Sequence, residues 1–150
     1  MKILFVHADY LNFRVRGKTR FAEEVEESRK ASKMEDLLIA FICVERSDEK
    51  SNDIAKEALA EIEDISNKVR AKNIALFPFA HLSHDLASPT FAAKLMADLE
   101  TMVREVGYSV LRAPFGWYIV FEFRAKGHPL ALLLRFIPNH AKKDSQSIGI

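Results

Sequence analysis

Short junctions that combine proline or glycine with polar or aromatic side chains are the parts of this sequence best suited to chemistry. Proline restricts the backbone and glycine frees it, so both can hold main-chain groups in unusual positions. Held in this way, main-chain groups can be presented to a ligand together with the polar or aromatic side chain beside them. The junctions are His7-Ala8-Asp9-Tyr10, Pro78-Phe79-Ala80-His81-Leu82-Ser83, Ala113-Pro114-Phe115-Gly116-Trp117-Tyr118 and Lys126-Gly127-His128-Pro129-Leu130-Ala131.

Several familiar catalytic signatures are missing from the sequence. There is no glycine-rich phosphate loop, nucleophile elbow, paired-cysteine metal site or zincin helix, so nucleotide-triphosphate and zinc chemistry are disfavoured. We therefore expect no metal and no organic cofactor. The single cysteine, Cys43, lies in an apolar run over residues 37–44 and is interpreted as a small buried hydrophobe, not as a nucleophile.

The composition is that of an ordinary globular protein. The chain has 150 residues, enough for one domain with a single core, and 49% of them are hydrophobic. Its net charge of +1 means that a nucleic-acid partner would have to be met by a local basic patch. Without an apolar run of membrane-spanning length or a signal-peptide pattern, we expect a soluble cytosolic protein.

The first third of the chain reads as β structure. Residues 2–7 and 10–16 predict two strands, with a turn near Asp9-Tyr10. The charge-dense residues 17–33 predict an exposed connection that contains a short helix, with no functional role assigned. The nearly continuous apolar run over residues 36–45 predicts a central strand buried on both faces.

The remainder alternates helices with strands and then returns to strands. Apolar residues at three- and four-residue spacing predict a helix over residues 51–72 behind a Ser51-Asn52-Asp53 cap, and a second helix from Ser88-Pro89 to Gly107. The strand candidates are residues 74–79, 108–112, 117–124 and 130–137, the last two being antiparallel neighbours joined across Lys126-Gly127.

The resulting order, β-β-β-α-β-α-β-β-β, predicts an α/β fold with a mixed sheet. The polar residues 138–150 are interpreted as a tail or linker that follows the domain over residues 1–137.

At the four junctions the sequence resembles the N-terminal editing domain of archaeal threonyl-tRNA synthetases, which is related in fold to the D-aminoacyl-tRNA deacylases. The junctions occur in the order and spacing of that family, and Met34-Glu35 before the buried strand matches as well. The resemblance implies a layered β-β-α homodimer that hydrolyses seryl-tRNA for threonine and spares threonyl-tRNA. It also implies a tRNA(Thr) acceptor end as partner and either further synthetase domains or a separate catalytic synthetase chain.

The resemblance further implies a pocket built largely from backbone atoms, in which the 2′-hydroxyl of the terminal adenosine assists the attacking water. The residues carried over are Pro78 and Ala80, which would hold the water and the ester; Phe115, Gly116 and Tyr118, which would frame the amino acid and adenosine; and Val44, which would form a wall. We expect Ala80 and Gly116 to allow close approach of the substrate to the backbone.

The histidines have competing interpretations. His81 follows a strand end inside a matched motif, which favours contact with the serine or the water over a purely structural hydrogen bond. His7 and Asp9 share one face of a strand and could pair in the site, although a structural hydrogen bond is the favoured interpretation. His128, before Pro129, is interpreted as part of a turn.

The segment after Gly116 departs from the family pattern. Ile119 stands where many relatives have lysine, and Leu132 stands where they have glutamate, which argues against a side-chain acid-base mechanism and favours substrate assistance. Trp117 and Tyr118 alternate in facing, so we expect one of them in the core and only the other at the pocket.

A row of basic residues is the candidate contact with tRNA. Arg14, Arg16, Lys18 and Arg20 recur at every second position, so an extended segment would place them on one face where they could track phosphate oxygens. A solvated charged face is an equally weighted alternative. Lys142 and Lys143 in the tail are weaker candidates.

Two other functions remain open from the sequence. A D-aminoacyl-tRNA deacylase would share the fold, although the segments at residues 78–83 and 126–131 suit the threonyl branch better. A noncatalytic RNA-binding domain with a decayed pocket would explain the uncharged Ile119 and Leu132.

Overall fold

Residues 1–138 and 146–147 are described by a computed structural model, in which two helices pack against one mixed sheet of seven strands. Short 3-10 turns interrupt the connections at Glu27–Arg29, Arg46–Lys50 and Ala80–Leu82. The regular elements are β1 (Lys2–Lys18), β2 (Ala31–Cys43), α1 (Ile54–Val69), β3 (Asn73–Pro78), α2 (Pro89–Glu105), β4 (Ser109–Arg112), β5 (Trp117–Ala125), β6 (Leu132–Phe136) and β7 (Gln146–Ser147).

The strand order is β4-β3-β2-β1-β6-β7, and β5 also pairs with β1. Strands β2, β3 and β4 are parallel, and the other pairs are antiparallel. The predicted α/β fold with a mixed sheet is therefore confirmed. The predicted central strand is confirmed as β2, whose residues 37–43 are all buried. Of the predicted tail, residues 139–145 and 148–150 lie outside the described residues.

Strand β1 is continuous, so the prediction of two strands with a turn near Asp9-Tyr10 was wrong. Its pairing with β5 shifts register between Ala8 and Tyr10, and Asp36 on β2 adopts a φ of 45° at the same level. This irregularity bends both strands without ending them. Lys126 Nζ donates to Asp9 Oδ1 at 2.7 Å and to Asp36 Oδ1 at 3.0 Å, which satisfies both carboxylates at the bend.

The helices cover one face of the sheet with the apolar stripes that their spacing predicted. Helix α2 begins as expected, because Ser88 Oγ accepts a hydrogen bond from Phe91 N–H at 3.2 Å and Pro89 occupies its first turn. The predicted cap of α1 differs in detail: Asp53 is the N-cap residue but its side chain makes no capping hydrogen bond. Among the described residues, no helix is long and apolar enough to cross a membrane.

The other face of the sheet is covered by β5. The Phe121 ring lies 4.8 Å from the Phe77 ring, and the Phe123 ring lies 5.6 Å from the Phe41 ring, between ring centroids. Since β5 pairs with β1 and yet packs on β2 and β3, the sheet folds back over itself at the bend. The result is the layered β-β-α arrangement that the resemblance implied.

Strands β5 and β6 do not pair with each other, so the predicted antiparallel pair across Lys126-Gly127 was wrong. They pair in succession with the same side of β1, β5 along residues 8–18 and β6 along residues 2–6. Because β1 bends, its second half pairs with β5 and its first half pairs with β6. Backbone hydrogen bonds from Lys126 N–H to His7 O, 2.8 Å, and from His7 N–H to Ala131 O, 2.9 Å, close the intervening loop on β1.

Candidate functional site

A cavity of about 570 Å³ lies where the ends of β2 and β3 meet the start of α2 and the start of β5. Residues from widely separated parts of the chain line this cavity. The seven residues that the sequence predicted for the pocket all line it: Val44, Pro78, Ala80, His81, Phe115, Gly116 and Tyr118.

One side of the cavity is the proline wall, residues 78–83. Strand β3 ends at Pro78, and Phe79 N–H donates to Ile42 O at 2.8 Å, which ties the chain to β2 as it leaves the sheet. The 3-10 turn that follows leaves Ala80 and His81 exposed at the cavity. The His81 ring packs edge-on against the Phe79 ring, 5.0 Å between centroids, which orients the imidazole.

The far end of the proline wall is anchored by Glu45. Ser83 Oγ donates to Glu45 Oε2 at 2.7 Å, and the Met1 ammonium lies 3.0 Å from Glu45 Oε1. Lys2 Nζ also donates to Leu82 O at 3.2 Å. Burial alone would raise the pKa of Glu45, but the hydrogen bonds from Ser83 and the ammonium outweigh it and lower the pKa. The wall is thus fixed to the start of β1.

The opposite side of the cavity is the glycine wall, residues 113–118. The structure gives its own reason for a glycine at position 116. Gly116 has a φ of 82°, and a Cβ built there would meet the Phe21 carbonyl group and lie 2.7 Å from Ala22 Cα. The close neighbour that requires glycine is therefore the chain's own backbone at residues 21–22. Close approach of substrate to Gly116 stays a prediction.

Trp117 and Tyr118 both line the cavity, so the expectation that one of them would be in the core was wrong. Tyr118 is 65% exposed, and the Trp117 indole N–H donates to Glu23 O at 2.9 Å. Exposure still alternates along the strand, but neither residue is buried, and the β1–β5 register shifts between Val15 and Gly17.

The described lining contains no aspartate, glutamate, lysine or arginine. Its polar side chains are Thr19, His81, Trp117 and Tyr118. Ile119 lines the cavity, whereas Leu132 packs against the core on the β5 side of the sheet. The site can therefore offer main-chain groups, hydroxyls and one imidazole to a ligand, in largely apolar surroundings.

His7 and Asp9 do not pair with each other, and neither lines the cavity. His7 Nδ1 lies 2.7 Å from His128 Nε2, and His128 Nδ1 accepts from Leu130 N–H at 3.2 Å. His128 therefore donates through Nε2 to an unprotonated His7 Nδ1. Burial, followed by the charges of His128 and Lys126, lowers the pKa of His7. The favoured interpretation of His7, a structural hydrogen bond, agrees with this geometry.

Arg14 and Arg16 lie on the exposed face of β1 together with Lys18, whereas Arg20 follows the end of the strand. Arg14 borders a second, open groove of about 600 Å³ with Lys33, and Phe121 lines both this groove and the cavity. The alternating exposure that the spacing predicted is present. Contact with tRNA remains a prediction.

Sequence reasoning missed the contribution of residues 19–23, here called the bracing segment. Thr19 and Phe21 line the cavity, and Glu23 contacts the glycine wall, although the segment was read as part of an exposed connection. The predicted short helix in that connection is present as the 3-10 turn Glu27–Arg29. No spacing pattern marks Thr19 or Glu23, because a charge-dense stretch normally indicates a solvated surface.

Structural comparison defines the class of fold. The solved structure of the c-Myc DNA Unwinding Element Binding Protein matches with a TM-score of 0.67 and 11% sequence identity, covering 92% of this chain and 99% of that one. At that identity the likeness concerns the fold alone, a mixed α/β arrangement around one mixed sheet.

Sequence comparison then gives the family. The profile of the archaea-specific editing domain of threonyl-tRNA synthetase matches residues 1–137. Threonine–tRNA ligase of Methanocaldococcus jannaschii is 45% identical over 150 residues, 99% of this chain and 24% of the relative. The ligase of Methanopyrus kandleri is 43% identical over 97% of this chain and 23% of the relative. The chain belongs to the archaea-specific threonyl-tRNA synthetase editing-domain family, and it spans about a quarter of the length of these relatives.

Proposed function

We propose that this chain hydrolyses the ester of serine on tRNA(Thr), spares the threonine ester, and so proofreads threonyl-tRNA synthesis. Family membership supports the editing role. The observation that carries the proposal is the convergence of all seven expected pocket residues on one cavity without charged side chains. We place the reaction in the cytosol.

The proposed reaction uses the substrate and the backbone. An aminoacyl ester needs a positioned water and donors for the oxyanion, and the first N–H groups of a 3-10 turn have no partner within that turn. The turn at Ala80–Leu82 can supply these donors while Pro78 and Ala80 hold the water and ester. The 2′-hydroxyl of the terminal adenosine assists the water, because the described lining has no charged base, and His81 contacts the serine or the water.

The remaining lining residues hold and select the amino acid. Phe115, Gly116 and Tyr118 frame the serine and the adenosine, and Val44 closes one side. An added methyl is rejected when rigid main chain occupies its space, and both walls are held by backbone hydrogen bonds.

Parallel assays with three esters separate this proposal from its alternatives. Release of serine from tRNA(Thr), without release of D-amino acids from their tRNA esters, is the expected result. Preferential release of D-amino acids would identify a D-aminoacyl-tRNA deacylase. Binding of tRNA without release of either ester would identify a noncatalytic binding domain.

The proposal includes assembly into a homodimer and attachment to, or cooperation with, the rest of a synthetase. Exposed apolar side chains on β5 support an interface, since Val120 is 40% exposed and Phe121 is 37% exposed. Among the described strands, β5 pairs only with β1, which leaves its other edge open.

Replacing Arg14 and Arg16 with alanine should weaken tRNA binding by removing phosphate contacts. The slope of log K against log salt concentration is negative, and each lost contact makes it shallower by about 0.7 to 0.9. Binding should be measured across a salt titration, with Lys68→Ala on the exposed side of α1 as control. If the double variant shows the same salt dependence of tRNA binding as the parent and the control, Arg14 and Arg16 are not part of the tRNA interface.

Replacing Cys43 with alanine should leave serine release intact. Cys43 is 1% exposed and does not line the cavity, and burial raises the pKa of its thiol, so it is a poor nucleophile. The loss of a small buried group is expected to cost about 1 kcal/mol of unfolding free energy. Rates and thermal unfolding measured together check this, and inactivation of a folded variant would contradict the structural role.

A further inference from the structure

The bracing segment is bonded to the main chain of the glycine wall. Thr19 donates to Gly116 O through both Oγ1, at 2.6 Å, and its N–H, at 2.9 Å. Glu23 N–H donates to Phe115 O at 3.0 Å, and Glu23 O accepts from Trp117 Nε1 at 2.9 Å. Consecutive residues of the wall are therefore held by a segment that sequence patterns read as solvent-exposed.

The Glu23 carboxylate adds the central contact. Its Oε1 accepts from Phe115 N–H at 2.7 Å and from Arg112 Nη1 at 2.5 Å, and its Oε2 accepts from Arg112 Nη2 at 3.2 Å. Arg112 Nε donates in turn to Glu100 Oε1 on α2 at 2.7 Å. One carboxylate thus joins the wall's main chain to a cation that is itself fixed to a helix.

Overall stability is a poor explanation for this arrangement. The Arg112 side chain is only 5% exposed, and removing a guanidinium from water carries a desolvation cost that its ion pairs must offset. A buried ion pair often contributes no more net stability than apolar packing of the same volume, but its hydrogen bonds fix geometry. Here they fix Phe115, which lines the cavity.

We infer that Glu23 is a positioning residue, which holds the glycine wall against the bound serine ester through Phe115 N–H and Arg112. The inference rests on the proposed hydrolysis of seryl-tRNA. Displacement of reacting groups by about 1 Å can reduce a rate a hundredfold, so loss of this carboxylate should lower kcat more than it raises KM.

The contact should also respond to acid. Burial alone would raise the pKa of Glu23, but the hydrogen bonds from Arg112 and Phe115 N–H and the charge of Arg29, whose Nη2 lies 3.9 Å from Glu23 Oε1, outweigh it and hold the pKa below its ordinary value of 4.5. A carboxyl with a lowered folded pKa stabilises its contacts fully above the ordinary value. That stabilisation is lost as the pH falls below 4.5 through the folded pKa.

Trp117 is the only tryptophan in the chain and touches Glu23, so its fluorescence reports on the wall without reference to activity. The test compares Glu23→Ala and Glu23→Gln with Glu24→Gln, whose parent side chain is 93% exposed. Folding, acrylamide quenching of Trp117, and kcat and KM for serine release are measured for each. Quenching is also followed as the pH is lowered.

Glu23→Ala is expected to lower kcat on the order of tenfold to a hundredfold and to increase quenching of Trp117. Glu23→Gln keeps an acceptor for Phe115 N–H, so it should lose less activity and lack the acid-dependent change, and Glu24→Gln should match the parent. If Glu23→Ala does not fold, the same measurements on Glu23→Gln test the inference. A folded Glu23→Ala variant with unchanged kcat and quenching overturns the inference, as does a folded Glu23→Gln variant with both unchanged where Glu23→Ala does not fold. If the parent releases no serine, the proposed function fails, and the quenching alone still shows whether Glu23 holds the wall.

Discussion

Replacing Gly116 with alanine is expected to abolish most serine release, on the order of a hundredfold, because the wall must move to accept a Cβ. The new atom would lie 2.6 Å from Phe21 C and 2.7 Å from Ala22 Cα, which are backbone atoms that cannot rotate away. The positive φ adds about 1–2 kcal/mol of strain for any residue with a side chain. Serine release and thermal unfolding, measured on the same preparation, check both effects.

Gly107 provides a matched control for the strain alone. Its φ is 108°, but a Cβ built there meets nothing within 4 Å. Gly107→Ala should therefore lose some stability and keep its serine-release rate. If Gly116→Ala behaves like Gly107→Ala in both assays, the close fit between the glycine wall and the bracing segment has no functional importance.

Replacing Ala80 with valine is expected to cut kcat/KM for serine release by at least about tenfold, because one methylene in a pocket is worth about tenfold to two-hundredfold and valine adds two methyl groups. Ala80 is exposed at the cavity and lies in the first turn after Pro78, so added methyl groups would enter the space assigned to the ester. Little stability should be lost, because the side chain is not part of the core. Initial rates with the serine ester give the measurement.

Two control variants accompany Ala80→Val. Ala97→Val makes the same change on the exposed side of α2 and should be silent. Ile119→Ala removes an apolar lining residue and should have a smaller effect than Ala80→Val. Abolished activity in Ile119→Ala, together with an unchanged rate in Ala80→Val, would contradict the backbone pocket.

Much of the fold follows from local patterns in the sequence. The Ser88-Pro89 start of α2 and the apolar run that forms β2 each depend on neighbouring residues alone, and both were predicted correctly. The continuity of β1 and the separate pairing of β5 and β6 depend on a bend that long-range contacts hold. Lys126 bridges Asp9 and Asp36 across that bend, and no local spacing indicates such a contact.

The pocket residues were expected from the resemblance at short motifs that stand out locally, whereas nothing local marks the bracing segment. The motifs at residues 78–83 and 113–118 carry proline and glycine, whose backbone preferences are visible in sequence. Glu23 acts through partners far along the chain, Arg112 and Phe115, and its own neighbours are charged and exposed. The backbone of residues 21–22 likewise explains Gly116, and only the folded chain places it there.

The rates of serine and threonine release from tRNA(Thr), measured with one enzyme preparation, test the central claim most directly. The two esters differ by one methyl group on the amino acid, so their ratio reports on the two walls of the cavity. We predict that serine is released faster than threonine by about tenfold or more, as expected if rigid main chain of the two walls occupies the space of the added methyl. Equal release of both amino acids, or no release of serine above the uncatalysed rate, would contradict the account.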